Sequence, residues 1–187
     1  MKKEIMEWVK TIVLSLIIAL VITTFIKPTI VKNYSMIPTL DENNFLIVNR
    51  LLYKQGTPKR GDIIVFRSPL KTVNGKDKLL IKRVIALPGE EIVITDGKVF
   101  INGDYLQEPY LVDPYTEGNI HMVIPEGKIF TMGDNRRNSL DSRDDVLGLV
   151  DEDDIIGKAF LRLYPLNRLG FLSKYSPVNA DERTALN

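Results

Sequence analysis

The sequence predicts a mainly β chain: one N-terminal transmembrane helix, then an antiparallel β-barrel or coiled-sheet domain. Three observations carry that reading. The only apolar run of membrane length is Thr11–Ile26, sixteen residues without a charge. After Leu40 the apolar residues fall into short β-branched runs separated by turn formers, at strand length and not at helix length. No stretch alternates strand with helix, so a doubly wound parallel sheet is not expected.

The bulk composition narrows the function classes. The chain has 187 residues, 44% of them apolar, and a net charge of +1. Setting aside an anchor and a polar tail leaves roughly 145 residues, enough for one domain with a core. A near-neutral balance gives no sign of a nucleic-acid partner. With no cysteine there is no disulfide framework, no thiolate metal site and no cysteine nucleophile. His121 is the only histidine, so a Ser-His-Asp triad would depend on it and a multi-histidine metal site is excluded.

Taken in order, residues 1–10 carry Lys2, Lys3, Lys10 and Trp8 and suit the cytoplasmic side of a membrane. Residues 11–27 form the anchor, closed by Lys27 and Pro28. From Trp8 to Lys27 a helix would cover about 30 Å, the thickness of a bilayer core. A cleaved secretory signal is the alternative, but no small-x-small site follows the run. Residues 28–172 then read as an extracytoplasmic β-rich domain. Strands are expected at Phe45–Asn49, Asp62–Phe66, Leu79–Leu87, Glu91–Thr95, Lys98–Asn102, His121–Ile124, Lys128–Met132 and Ile155–Leu163. Asn74-Gly75 and Asp96-Gly97 mark hairpin turns. Asp104–Gly118 is polar and proline-containing, a surface excursion, and one short helix is expected near Asp141–Leu147. Residues 173–187 read as a polar, disordered tail.

Three stretches hold residue types that do chemistry. In Asn33-Tyr34-Ser35-Met36-Ile37-Pro38-Thr39-Leu40 a serine precedes a proline that restricts the backbone, so Ser35 sits on stiff, non-helical chain, either a fixed nucleophile or a linker serine. In Leu79–Leu87 two cations interrupt an apolar strand. Alternation gives Lys82 the face of Leu80, Val84 and Ala86, where desolvation would favour the neutral amine and fit it as a general base. The other reading is an edge-strand lysine that blocks aggregation. In Gly133–Arg143 the two-residue spacing of Ser139, Asp141 and Arg143 lets the last two pair and brace a loop, leaving the Ser139 hydroxyl for a buried amine. A solvated charged turn is the alternative there.

Together these stretches resemble the type I signal peptidases, membrane-anchored Ser/Lys endopeptidases, and look most like their compact Gram-positive members. Ser35-Met36-Ile37-Pro38-Thr39-Leu40 is similar to the family's serine box, Gly61–Phe66 to its next box, Leu80–Glu90 to its lysine box, and Gly133-Asp134-Asn135 with Ser139, Asp141 and Arg143 to its last. The resemblance runs from the anchor to about Leu172. It implies Ser35 as nucleophile, Lys82 as general base, Ser139 as the hydroxyl that orients the lysine, and Asp141–Arg143 as a supporting ion pair. It implies that Met36, Leu40, Leu80 and Ile81 line a groove accepting small residues one and three positions before the cut bond. No metal and no cofactor are implied. The partners implied are signal peptides of exported preproteins, membrane lipid and the translocation machinery nearby, on a single-pass protein with its N-terminus in the cytoplasm.

The chain departs from the family at Asn33, where relatives commonly carry glycine or serine. Asn33 is read either as an oxyanion donor or as a turn residue. A second functional reading is a non-catalytic or narrow-specificity factor that assembles one secreted or pilin partner. The Ser35 and Lys82 pair speaks for chemistry, and a lone histidine in an apolar strand is more often structural.

Overall fold

The computed structural model describes residues 2–53 and 56–172. Helix α1, Lys2–Phe25, has 24 residues, about 36 Å at 1.5 Å each, long and apolar enough to cross a bilayer. None of its apolar window is buried against the rest of the chain. It opens without a linker into strand β1, Ile26–Ile30, and the Arg50 N–H caps the Phe25 carbonyl at 3.0 Å. The anchor was expected to run to Lys27; Ile26 and Lys27 belong instead to an unforeseen strand. Pro28 cannot donate a ladder bond, and β1 is a sheet edge, where proline is tolerated.

The remaining strands are β2 (Phe45–Asn49), β3 (Ile63–Lys71), β4 (Asp77–Ala86), β5 (Glu91–Thr95), β6 (Lys98–Ile101), β7 (Asp104–Tyr105), β8 (Ile120–Val123), β9 (Lys128–Met132), β10 (Val150–Asp151), β11 (Ile155–Tyr164) and β12 (Gly170–Phe171). They form two antiparallel sheets. The larger runs β1-β2-β11-β3-β4-β9-β10 with β12 against β11, and the smaller runs β7-β6-β5-β8. The larger path ends at β1 and β10 without closing, so of the two expected forms the coiled sheet is built. Asn74-Gly75 lies in the β3–β4 turn. In the β5–β6 hairpin, Asp96 at φ 49° and Gly97 at φ 75° form the mirror-image turn their sequence favours.

The continuous apolar run in β3 has a simple cause. Ile63 and Val65 pack with Met36, Leu40, Leu46 and Val48, whereas Ile64 and Phe66 pack with Leu80, Val84 and Ile129 on the opposite face. A strand buried on both faces needs no alternation. A third core joins the small sheet to β4 and β9 through Ile85, Ile92, Ile94, Phe130 and Met132.

Two expectations change. Asp141–Leu147 is a series of turns and not a helix: the Asp144 N–H bonds the Asp141 carbonyl at 2.9 Å, the Asp144 carbonyl accepts from the Leu147 and Gly148 N–H groups, and the Asp141 carboxylate is committed to Gly133 and Arg143. The Asp104–Gly118 excursion buries Tyr110, Leu111 and Thr116, so it is partly core. The tail reading for residues 173–187 lies outside the described residues.

Candidate active site

Ser35 sits in consecutive turns. The Ile37 N–H bonds the Tyr34 carbonyl at 3.2 Å, the Leu40 N–H bonds the Met36 carbonyl at 2.8 Å, and the Ile37–Pro38 peptide is cis. The loop after β9 holds this turn from the other side. The Asn135 N–H donates to the Ser35 carbonyl at 3.0 Å and its side-chain amide to the Tyr34 carbonyl at 3.2 Å. The nucleophile candidate is therefore fixed by one backbone and one side-chain bond from a segment about a hundred residues away.

Lys82 comes from β4, opposite Ile64 in register, and its residue is 2% exposed. Its Nζ lies 2.6 Å from Ser35 Oγ. A charged lysine donates to the hydroxyl across that gap; a neutral one accepts the hydroxyl proton. Burial is the main cause that lowers the ammonium from 10.5 to about 8. Asp141 and Asp134 pull it partly back up, and Arg143 and Lys78 push it down again.

The Gly133–Arg143 loop closes the back of the site. Arg143 Nε and Nη2 grip the two oxygens of Asp141 at 2.8 and 3.0 Å, and the Gly133 N–H adds a bond of 3.0 Å to Oδ2. Burial pushes this carboxyl up, but the Arg143 bonds and charge and the Gly133 N–H hold it below the usual carboxylate range. Gly133 has to be glycine: an added Cβ would lie 2.2 Å from Ser139 Oγ and 2.3 Å from the Ser35 carbonyl. Ser139 Oγ itself is buried with no hydrogen-bond partner, and the expected bond to Lys82 is not made in this structure. It still lies near enough to Asp141 to help keep that carboxylate ionised.

A groove of about 380 Å³ opens beside Ser35. One wall is Thr29–Asn33, continuing the edge strand β1; the other is Lys78, Leu79 and Ile81 of β4, with Val65 and Met36 below. Asn33 is exposed on this wall. Of the four expected groove residues, Met36 and Ile81 line it. Leu40 and Leu80 do not: Leu40 is sealed among Leu46 and Val48, and Leu80 points with Ile64 and Phe66, away from Ile81 by strand alternation.

Sequence reasoning missed the role of Arg83 and Asp134. Both side chains are fully buried, joined by bonds of 2.8 and 2.6 Å, and the guanidinium lies 3.8 Å above the Tyr110 ring. The signal was present in the second cation of Lys82-Arg83 and the acid of Gly133-Asp134-Asn135, but only the fold shows that they meet. Asp62, expected as a turn cap, does accept the Lys59 N–H at 3.1 Å; it also binds Tyr53 and Lys158. His121 is exposed on the small sheet, 2.7 Å from Glu91.

An amine kept near neutrality on a serine hydroxyl, beside a groove walled by strand edges, has the makings of a serine peptidase whose base is not histidine. The comparisons agree. The family model for "Signal peptidase, peptidase S26" matches residues 5–164. A signal peptidase I of Leptolyngbya laminosa is 43% identical over 90% of this chain and 84% of its own length. A probable signal peptidase I of a Synechocystis strain is 38% identical over 98% and 93%, and signal peptidase I S of Bacillus subtilis is 38% identical over 90% and 94%. The chain belongs to the signal peptidase family. It is an enzyme of the signal peptidase I kind, a serine endopeptidase on an antiparallel coiled-sheet fold.

Proposed function

We propose that this chain is anchored in the cell membrane by α1, with its N-terminus in the cytoplasm, and removes signal peptides from exported preproteins after small residues, Ser35 acting as nucleophile and Lys82 as general base. The observation that carries the reading is the 2.6 Å contact between Ser35 Oγ and a buried lysine whose ammonium is lowered to about 8. The end of the signal peptide lies extended between Thr29–Asn33 and Lys78–Ile81, its backbone adding as a strand. Neutral Lys82 takes the Ser35 hydroxyl proton, Oγ attacks the carbonyl carbon, and the peptide C–N bond breaks as Lys82 returns the proton to the leaving amine. Water then loses a proton to Lys82 and cleaves the ester, and Ser35 recovers its hydrogen. Ser139 orients the protonated lysine; what supports this is a buried hydroxyl left without a hydrogen-bond partner in the loop behind the dyad. Asp141 and Arg143 hold the loop that carries it. The Ser35 N–H and the Asn33 amide are the oxyanion donors in this reading.

α1 runs straight into the strand that walls the groove, so the site stays close to the bilayer, beside lipid and the channel from which signal peptides emerge. The test is cleavage of a preprotein bearing an Ala-x-Ala site by the purified chain in detergent, from pH 6 to 10. Activity should require Ser35 (absent in Ser35→Ala) and rise along a limb centred near pH 8, because only about one-tenth of a group titrating there is neutral at pH 7. Asn33→Ala should lose about 10²–10³-fold in kcat; a wild-type rate would make Asn33 a turn residue. No cleavage by folded wild type would favour a narrow-specificity or non-catalytic assembly factor.

A further inference from the structure

Gly133 is held at both of its peptide groups. Its N–H donates to Asp141, and its carbonyl accepts from Arg136 Nε at 3.1 Å. A Cβ at this position would run into Ser139 Oγ and the Ser35 carbonyl, so no side chain fits. Any movement of Gly133 is therefore passed directly to the nucleophile turn and to the Ser139 hydroxyl. The Asp141 clamp lies within the loop itself. The Arg136 clamp does not, because the guanidinium is itself held from outside. Arg136 Nη1 donates to Glu108 at 2.8 Å and to Thr116 Oγ1 at 2.5 Å, and Nη2 donates to the second Glu108 oxygen. The Arg136 and Glu108 side chains are only 2% and 6% exposed, so neither ion has water as a substitute partner.

Glu108 and Thr116 both belong to the excursion between β7 and β8, outside the four motif stretches. The same excursion supplies Tyr110, whose ring underlies Arg83 and whose hydroxyl donates to Glu108 at 2.5 Å. The Arg136 carbonyl in turn accepts from Arg143 Nη2 at 2.7 Å, so Arg143, besides its grip on Asp141, is tied to the same anchored segment.

We propose that Glu108 is a positioning residue for the Ser35–Lys82 pair: its carboxylate fixes the Arg136 guanidinium, which holds the Gly133 carbonyl and so sets the loop carrying Ser139 and Asp141 against the dyad. The inference rests on the Ser/Lys reading above. The groups that face Lys82 are Ser35, Asp141, Asp134, Arg143 and Lys78. Without Glu108 the loop slackens, water reaches the amine, and the lysine returns toward its ordinary alkaline value.

The experiment measures kcat and KM against pH for the full chain in detergent. Wild type is compared with Glu108→Ala, Glu108→Gln and Asp113→Ala. Asp113 pairs with Arg137 at 2.6 Å, joining the same two segments at the exposed surface without touching Gly133. Glu108→Ala should lower kcat about 10- to 100-fold with little change in KM, and move the limb to higher pH. Glu108→Gln, which keeps an oxygen for Arg136, should recover most of the loss, and Asp113→Ala should match wild type. If Glu108→Ala has wild-type kcat and limb, or if Asp113→Ala falls as far, the proposal fails, whatever happens to melting temperature. Should Glu108→Ala not fold, Arg136→Lys answers the same question: it keeps a charge for Glu108 but lacks the donor fork, and must show the same fall and shift. A wild type with no alkaline limb overturns the Ser/Lys reading itself, a result distinct from a limb that Glu108 fails to move.

Discussion

Strand β4 places two cations side by side, and its two faces treat them oppositely. Lys82 hydrogen-bonds a hydroxyl and ion-pairs with no carboxylate among the described residues; Asp141 and Asp134 pull it up only from a distance, and burial drives it toward the neutral amine. Arg83 meets Asp134 through a bidentate pair, with the Gly61 carbonyl at 3.0 Å and the Tyr110 ring as further partners. The difference lies in the partner each face offers and not in burial, because both residues are almost sealed from water. A guanidinium stays charged and stabilises the fold only while its carboxylate is present; an amine can give up its proton and become a reagent. The lysine face therefore holds a functional liability and the arginine face holds the structure around it.

The largest effect should come from removing the liability. Lys82→Met should lose cleavage by about 10²–10⁴-fold or more, yet fold more stably than wild type at neutral pH. The sign follows from the lowered value. Below pH 8 the folded protein bears the full cost of a buried ammonium; a drop from 10.5 to about 8 corresponds to about 3 kcal/mol. That cost fades as pH rises from 8 to 10.5, because the unfolded chain then stops taking up the proton. Thermal melts at pH 7 and pH 10.5 should show the advantage of Lys82→Met shrinking with pH. A variant less stable than wild type at pH 7 would mean that the lysine contributes more to packing than its burial costs.

Arg83→Met sharpens the contrast in the other direction. It leaves Asp134 buried without its cation and should destabilise by about 3–5 kcal/mol. Pairing it with Asp134→Leu should return most of that loss, since the penalty is the orphaned carboxylate and not the missing bridge. Unfolding midpoints of the single and double variants decide this. A single variant that melts like wild type would place Asp134 in contact with water and undo the account of this face.

Much of this comparison was legible before any coordinates. The apolar run around Lys82, the turn formers, and the Ser35 and Gly133 stretches are local patterns, and local patterns set strands, hairpins and candidate reagents. What the sequence did not reveal depends on pairings across long distances. Ile26 and Lys27 read as the end of an anchor because their strand character comes only from pairing with β2. Asp134 reads as a loop former because its partner is fifty-one residues earlier. Glu108 reads as surface because nothing near it in the chain shows that Arg136 will bury it. Leu80 and Leu40 read as groove residues by resemblance, and the packing of this chain turns them into the core.

The smallest expected effect completes the contrast by testing a third basic side chain as the base. His121 stands on the small sheet, its side chain 70% exposed, with Glu91 as its partner. An exposed pair of this kind is worth under about 1 kcal/mol, and no hydrogen bond among the described residues joins it to the turn that holds Ser35. His121→Ala should therefore keep the wild-type kcat, melt within a degree or so of wild type (about 0.5 kcal/mol or less), and leave the rising limb where it was. The position of that limb is the sharper reading, because it is set by the group that must lose its proton. A limb that stays near pH 8 in His121→Ala assigns the titration to the amine. A limb that vanishes with the histidine would move the base from the sealed face of β4 to an exposed strand of the small sheet, and the distinction between the two cations would no longer explain the chemistry.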